Sequence, residues 1–328
     1  MAESKLRSAP GDQVADHLGD QAVLFSQLFE QLSRAGYYGQ PLTPEQMQKR
    51  RALDEDSGAL IHYFHLGLDV PPSALESAGL SPDLVEPITR QKPAVSRVGQ
   101  RFFAHNHWPP EWGDEKNFVY LGRESLMLEQ RLQPYRHLLS HSFVLDLGSG
   151  AGVLSVAASD AGAARVVAIE PSERAIQWSR ATIGAYHINN IHFYRGAVGS
   201  PETESYVTQQ GPAWDVALFN PPMAVSNPLS ARPHRDGGFR GIELPLMFLD
   251  FSARHLKVGG HVIALMTNPI TPQGEGLLFQ QLRARRQWVI LERECIEDDF
   301  NRSLYRKEGY EQRGIARVEL WFLVLRLK

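Results

Sequence analysis

The chain has 328 residues, of which 43% are hydrophobic and 22% charged, and its formal net charge is −3. These values are typical of a folded protein of about two domains and exclude a disordered or broadly basic nucleic-acid-binding chain, although they are compatible with a local basic patch. The one cysteine excludes an intrachain disulfide, and the N-terminus and the apolar runs lack the length of a signal peptide or a bilayer span, so we expect a cytoplasmic protein.

The first part of the chain is predicted to be helical. Apolar residues recur at three- and four-residue steps from Asp12 to Ala35, and Gly36 follows as a stop signal. This spacing predicts an amphipathic helix. Shorter helices are expected from Thr43, over 57–66, over 73–78 and from Ser81.

Two strand-like segments follow these helices. Residues 94–104 and 117–121 are rich in β-branched and aromatic side chains, and the segment between them has a loop composition. We expect the two segments to pair as a hairpin. Helices followed by a hairpin resemble a winged-helix-like module, and a lid or a dimerisation surface fits the same pattern. Residues 1–125 are therefore interpreted as a substrate-access module and residues 126–328 as a second domain.

From residue 143 onward the chain alternates strand and helix patterns. The last two strand-like runs have no helix between them, which predicts an antiparallel finish. The pattern indicates an α/β fold: a Rossmann-like, doubly wound, mostly parallel seven-stranded sheet with an antiparallel last strand. The predicted strands are 143–147, 166–169, 191–194, 216–219, 261–266, 288–291 and 318–325.

Alternating glycines follow the first of these strands. The segment from Asp146 to Gly152 ends a buried strand and opens a helix, and its glycines let a ligand approach the backbone closely. Glu170 ends the next strand, where an acid suits two ribose hydroxyls. A carboxylate at Asp146 would repel the pyrophosphate of a dinucleotide and attract a sulfonium ligand. The residues therefore favour S-adenosylmethionine over the dinucleotide of an oxidoreductase.

The stretch 144–154 resembles motif I of the class I S-adenosylmethionine-dependent methyltransferases, and Glu170 matches their ribose-binding acid. The resemblance implies that Asp146 and the glycine loop hold the methionine end of the cofactor. The family often has an acid near the adenine after the third strand, but this chain has Ala197 there. Adenine would then be held by backbone or apolar contacts.

A second motif, Asn220-Pro221-Pro222-Met223, follows the fourth strand of this region. Proline fixes φ and has no N–H group, so two in succession form a stiff turn that presents acceptors. The carbonyl oxygen of Pro221 and the amide oxygen of Asn220 can each accept one hydrogen of an NH₂ group and direct its lone pair at a methyl group. Such positioning contributes up to about 7–11 kcal/mol in model systems.

This motif resembles the Asn-Pro-Pro-aromatic signature of amino methyltransferases, which include the release-factor glutamine and rRNA guanine-N2 families. Met223 departs from the usual aromatic residue, which makes a flat nucleobase less expected. The resemblance implies methyl transfer to an amide or amino nitrogen of a protein side chain or small molecule. A methyltransferase of rRNA or tRNA bases, disfavoured by the acidic composition, and a non-catalytic nucleoside-binding module are the alternatives.

Two flanking segments add to the predicted site. Residues 236–241 resemble the glycine-rich segment of the glutamine methyltransferases, and the loop 224–242 carries Arg232, His234, Arg235 and Arg240, which can meet phosphate or carboxylate. Ser125 resembles a serine or threonine that closes over the methionine end in several such families.

The predicted site holds no metal. Although the chain has twelve histidines, the two closely spaced pairs, His62 with His65 and His105 with His107, have no nearby acidic or cysteine partner at ligand spacing. The residues predicted to act on the acceptor are Asn220, Pro221, Pro222 and Met223. Those predicted to hold the cofactor are Asp146, Gly148, Ser149, Gly150, Gly152, Glu170, Pro171, Ala197, Asn220 and Ser125.

Overall fold

The computed structural model describes residues 10–41, 58–107, 118–211, 213–226, 235–300 and 309–328. Within these residues a helical N-terminal part with a two-stranded hairpin precedes a seven-stranded sheet. The helix predicted from Thr43 lies outside the described residues. The N-terminal helices are α1 (Pro10–Arg34), a π-helical turn (Ile61–His65), α2 (Pro72–Ser77) and α3 (Pro82–Gln91).

The hairpin differs from the predicted one. Strands β1 (Ala94–Val98) and β2 (Arg101–His105) pair with each other in antiparallel register. Gly99 has a φ of 59° and begins a two-residue turn that folds the segment back on itself. The predicted pairing of 94–104 with 117–121 is therefore wrong. Residues 118–121 form no strand, and their link to the hairpin end is made by the Asn106 amide, which donates to the Val119 carbonyl at 3.0 Å.

The large sheet confirms the predicted architecture. Its strands are β3 (Phe143–Leu147), β4 (Arg165–Glu170), β5 (Ile191–Arg195), β6 (Trp214–Phe219), β7 (Leu256–Ile270), β8 (Trp288–Glu297) and β9 (Arg317–Leu327). Their order in the sheet is β5-β4-β3-β6-β7-β9-β8, with β3 to β7 parallel to one another and β9 antiparallel to both β7 and β8.

Helices cover both faces of this sheet. One of them, α8 (Pro201–Gln209), was not predicted, because only Thr203 and Val207 are buried along it and its apolar periodicity is weak. Ser200 caps it by accepting a hydrogen bond from the Thr203 amide at 3.2 Å. The helices are α4 (Arg123–Leu132), α5 (Arg136–Leu139), α6 (Val153–Asp160), α7 (Glu173–Ala185), α8 (Pro201–Gln209), α9 (Glu243–His255) and α10 (Leu277–Ala284).

The N-terminal part shares a core with one face of the sheet. Phe29 of α1 stacks on Tyr186 just after α7, with ring centroids 5.6 Å apart. Both Phe29 and Val144 of β3 belong to one continuous cluster of buried side chains. The opposite face packs against α9 and α10 in a second cluster. The boundary at residue 125 and the winged-helix-like arrangement stay predictions.

Candidate active site

The two sequence motifs meet at the carboxyl ends of neighbouring parallel strands. Leu147, the last residue of β3, pairs in register with Phe219, the last residue of β6. The glycine loop begins at Gly148 and the diproline turn begins at Asn220, so both leave the sheet side by side. Doubly wound sheets bind their ligands at this edge.

The glycine loop needs glycine for both conformation and space. Gly148, Gly150 and Gly152 have φ values of 73°, 51° and 82°. A Cβ on Gly152 would lie 3.2 Å from the Ser179 hydroxyl oxygen, and one on Gly148 would lie 3.4 Å from the ring of Phe248. Any side chain at these three positions would be strained, and one at Gly152 would also be crowded by Ser179 at the base of helix α6.

The loop amides are bonded within the protein. The N–H groups of Gly148 and Ser149 both donate to the Ile169 carbonyl, at 2.8 and 3.1 Å, and the N–H of Gly150 donates to Glu170 Oε2 at 2.9 Å. These amides are therefore already used and do not form an anion-binding cradle. This arrangement fits a cationic amino-acid ligand better than a pyrophosphate.

Glu170 closes the loop against the next strand. Its Oε1 atom accepts from the Ser172 amide at 2.9 Å, while Oε2 accepts from Gly150. Burial raises the pKa of Glu170, and the two backbone hydrogen bonds oppose that rise. Each oxygen keeps a lone pair for a ribose hydroxyl. Pro171 and Ala197 are exposed beside it, after β4 and β5.

Asp146 is a buried carboxylate with one oxygen unsatisfied. Its Oδ2 atom accepts from the Ser155 hydroxyl at 2.5 Å, whereas Oδ1 has no partner among the described residues. Burial raises the pKa of Asp146 to about 7, and the nearby charge of Glu170 adds to the rise. A buried acceptor without a donor is costly, so a cationic ligand here would satisfy both its charge and its hydrogen-bonding capacity. The Ser149 hydroxyl is also buried without a partner in the described part of the chain.

Asn220 is oriented from across the site. Its Nδ2 group donates to the Ser125 hydroxyl at 3.4 Å, which joins the turn after β6 to the first turn of α4. Its Oδ1 atom is buried and has no partner among the described residues. The structure thus brings Ser125 and Asn220 together, although 95 positions separate them.

The diproline turn is supported by the glycine-rich segment 236–241. Pro221 is buried, and Pro222 and Met223 are half-buried. A Cβ on Gly237 would lie 2.8 Å from the Met223 Cα and 2.9 Å from the Pro222 carbonyl, so only glycine allows this approach. The Gly237 amide donates to the Ala224 carbonyl at 2.7 Å, which fastens the returning chain.

The segment before α4 also borders the site, and the sequence patterns did not identify Tyr120. The Tyr120 carbonyl oxygen lies 3.6 Å from where a Cβ on Gly150 would stand. The Tyr120 hydroxyl donates to Glu124 at 3.3 Å, and burial raises the pKa of Glu124. The only sequence signal for Tyr120 is its place five residues before Ser125.

Two of the basic residues predicted on the loop 224–242, Arg232 and His234, lie outside the described residues. Among residues the structure describes, no group of three or more histidine, cysteine, aspartate or glutamate side chains could hold a metal ion. No helix in the described part of the chain has both the length and the apolar character needed to cross a membrane.

Comparison with known families decides the nature of this region. Residues 125–270 match the family model described as the methyltransferase small domain. This segment is similar to a methyltransferase domain, a match that indicates S-adenosylmethionine as the cofactor. The matched segment contains the glycine loop, Glu170 and the Asn-Pro-Pro turn. No curated protein sequence matches the chain.

Several solved methyltransferase structures have a distantly similar fold. Trm5b from Pyrococcus abyssi shares 14% identity at a TM-score of 0.47, over 72% of this chain and 56% of that one. TrmN from Thermus thermophilus shares 19% identity at a TM-score of 0.39, over 62% of this chain and 49% of that one. The ribosomal protein L11 methylase from Lactobacillus delbrueckii subsp. bulgaricus shares 14% identity at a TM-score of 0.38, over 63% of this chain and 78% of that one. The chain thus spans about half the length of the first two, and similarity this distant says nothing about the acceptor.

Proposed function

We propose that this protein transfers the methyl group of S-adenosylmethionine to an amino or amide nitrogen. The observation that carries the proposal is the buried Asn220 Oδ1 atom, which has no partner among the described residues and lies beside the cofactor loop. Leaving such a hydrogen-bond acceptor unsatisfied costs about 1–3 kcal/mol. An N–H group of the substrate that receives the methyl group would remove that cost at the place where the reacting nitrogen is needed.

The residues around the loop fit the cofactor. Asp146 supplies a buried negative charge for the cationic methionine end, and Glu170 supplies acceptors for the ribose hydroxyls. Gly148, Gly150 and Gly152 leave three positions of the loop without side chains. When bound, S-adenosylmethionine supplies an electrophilic methyl group on a positively charged sulfur.

The acceptor side is built for positioning. Ser125 accepts from the Asn220 Nδ2 group, so the amide is oriented with Oδ1 as its remaining acceptor. Together with the Pro221 carbonyl, this oxygen would bind the two hydrogens of an NH₂ group and direct the nitrogen lone pair toward the methyl carbon. Pro222 and Met223 would contact the rest of the acceptor. Restricting the nitrogen to this direction lowers the barrier without a strong base.

The acceptor is proposed to be a protein side chain, a small molecule or a nucleic-acid base, and residues 1–125 are proposed to control its access. Tritium from methyl-labelled S-adenosylmethionine should enter one of three fractions of an extract from cells lacking the gene: protein, RNA or small molecules. We expect Asn220→Ala to lower this transfer by about 100-fold or more. Its affinity for S-adenosylmethionine, measured by calorimetry, should stay within about threefold of wild type because Asn220 acts on the acceptor.

Asn189 provides a matched control, since it is exposed in the turn before β5. Asn189→Ala should change neither transfer nor cofactor affinity. Full transfer by Asn220→Ala would refute the positioning role. Cofactor binding by the wild type with no labelled fraction would overturn the proposal in favour of a nucleoside-binding module.

A further inference from the structure

An aromatic ring is exposed on the segment that supports the diproline turn. Phe239 has 60% of its surface exposed, within the glycine-rich segment 236–241. A single exposed ring is common on protein surfaces and by itself indicates nothing. Two further features distinguish this ring, namely a fixed backbone and a cation placed against it.

The backbone around Phe239 is held from both sides. Asp236 Oδ1 accepts from the Gly238 amide at 2.9 Å, and the Gly241 amide closes the turn by donating to the Gly238 carbonyl at 3.1 Å. Glu243 Oε2 accepts from the Arg240 amide at 2.9 Å. The ring is therefore presented by a rigid turn.

Arg313 holds the ring from the C-terminal part of the chain. Its guanidinium carbon lies 5.3 Å from the centroid of the Phe239 ring. The same guanidinium donates to the Ser226 carbonyl at 2.6 Å and to the Gly309 carbonyl at 3.1 Å. Because the Ser226 amide in turn donates to the Gly238 carbonyl at 2.8 Å, Arg313 ties both sides of the loop together under the ring.

The segment that carries this ring packs against the position where the Asn-Pro-Pro motif lacks its aromatic residue. Gly237, two residues before Phe239, is close against the Met223 backbone. Met223 itself offers a flexible thioether instead of a flat face. Arg240, next to Phe239, is exposed and adds positive charge on the same turn.

We infer that Phe239, held by Arg313, is a specificity-determining residue that stacks on a planar acceptor, and that the acceptor amine belongs to a nucleobase of a single-stranded nucleic acid. This inference rests on the proposed function. A flat ring is recognised by an aromatic face and a phosphate backbone by adjacent cations, which is the combination found here. A glutamine side chain has no ring to stack, so it would gain little from this arrangement.

Fluorescence anisotropy of the full chain saturated with S-adenosylhomocysteine tests the inference. The probes are fluorescein-labelled, mixed-sequence, single-stranded RNA and DNA of twelve nucleotides. Comparing them shows whether the nucleobase belongs to RNA or to DNA. We expect at least one probe to bind, Phe239→Leu to weaken that binding about tenfold, and Phe239→Tyr to preserve it, because stacking needs an aromatic face.

Phe143 provides the matched control. It is 45% exposed at the start of β3, on the edge of the sheet opposite the site. Phe143→Leu should leave strand binding unchanged. The inference is overturned if neither probe binds, or if Phe239→Leu and Phe143→Leu have equal effects. It is also overturned if label enters the protein fraction equally with wild type and Phe239→Leu, and in that case loss of transfer by Asn220→Ala would still support the proposed function.

Discussion

The buried carboxyl group of Asp146 makes the cofactor assignment testable through pH. Burial raises its pKa from 3.8 to about 7. Because this pKa is higher in the folded than in the unfolded chain, the folded protein holds the proton more tightly. Stability is therefore highest at low pH and is lost as the pH rises between the two pKa values. At ~1.4 kcal/mol per pKa unit, the free protein should lose roughly 2–3 kcal/mol from this group between pH 5 and pH 8.

The substitution Asp146→Asn removes this titration while keeping an acceptor for the Ser155 hydroxyl. Urea denaturation of both proteins at pH 5 and pH 8 gives the free energies of unfolding. The difference between variant and wild type should shift in favour of the variant by roughly 2–3 kcal/mol as the pH rises. Comparing differences cancels the other titrating groups, which the two proteins share.

Cofactor binding should respond in the opposite direction. A cationic ligand favours the ionised carboxylate, so S-adenosylmethionine should bind wild type more tightly at pH 7 than at pH 5.5 and release a proton on binding. Calorimetry in two buffers of different ionisation enthalpy measures that release. Asp146→Asn should bind about tenfold more weakly or worse and release no such proton. Equal affinity of the two proteins, or an identical pH dependence, would refute the assigned role of Asp146.

Two glycine substitutions test the remaining geometry. Gly152→Ala should lower the free energy of unfolding by about 1–2 kcal/mol more than Gly274→Ala, which a lower melting temperature would report, and it should also weaken cofactor binding more. Both residues have a φ of 82°, but only Gly152 has Ser179 within contact of an added Cβ. Equal losses would show that crowding at Ser179 is unimportant. Gly237→Ala should reduce methyl transfer while cofactor affinity is retained, since its Cβ would displace the backbone at Met223. Normal transfer, measured with tritiated cofactor, would contradict the proposed support of the turn.

Much of the fold and both site motifs could be predicted because their signals are local. A buried strand followed by alternating glycines indicates a strand-loop-helix unit, and Glu170 is recognisable as the end of the next strand. The Asn220-Pro221-Pro222 turn is equally local, since proline restricts its own backbone. Continuous apolar runs indicated parallel strands buried on both faces, and the missing helix before β9 indicated that the sheet ends antiparallel.

The contacts that complete the site depend on tertiary packing. Sequence spacing did not show that Ser125 bonds to Asn220, that Asp146 keeps an unsatisfied oxygen, or that Gly237 returns to Met223, because partners far apart in the chain meet only when the elements pack. The N-terminal hairpin was mispredicted for the same reason, as strand pairing is set by a turn and by register. The sequence by itself therefore determined the α/β class and the places where the two motifs leave their strands. Only the tertiary structure decided which side chains face each other across the carboxyl edge of the sheet.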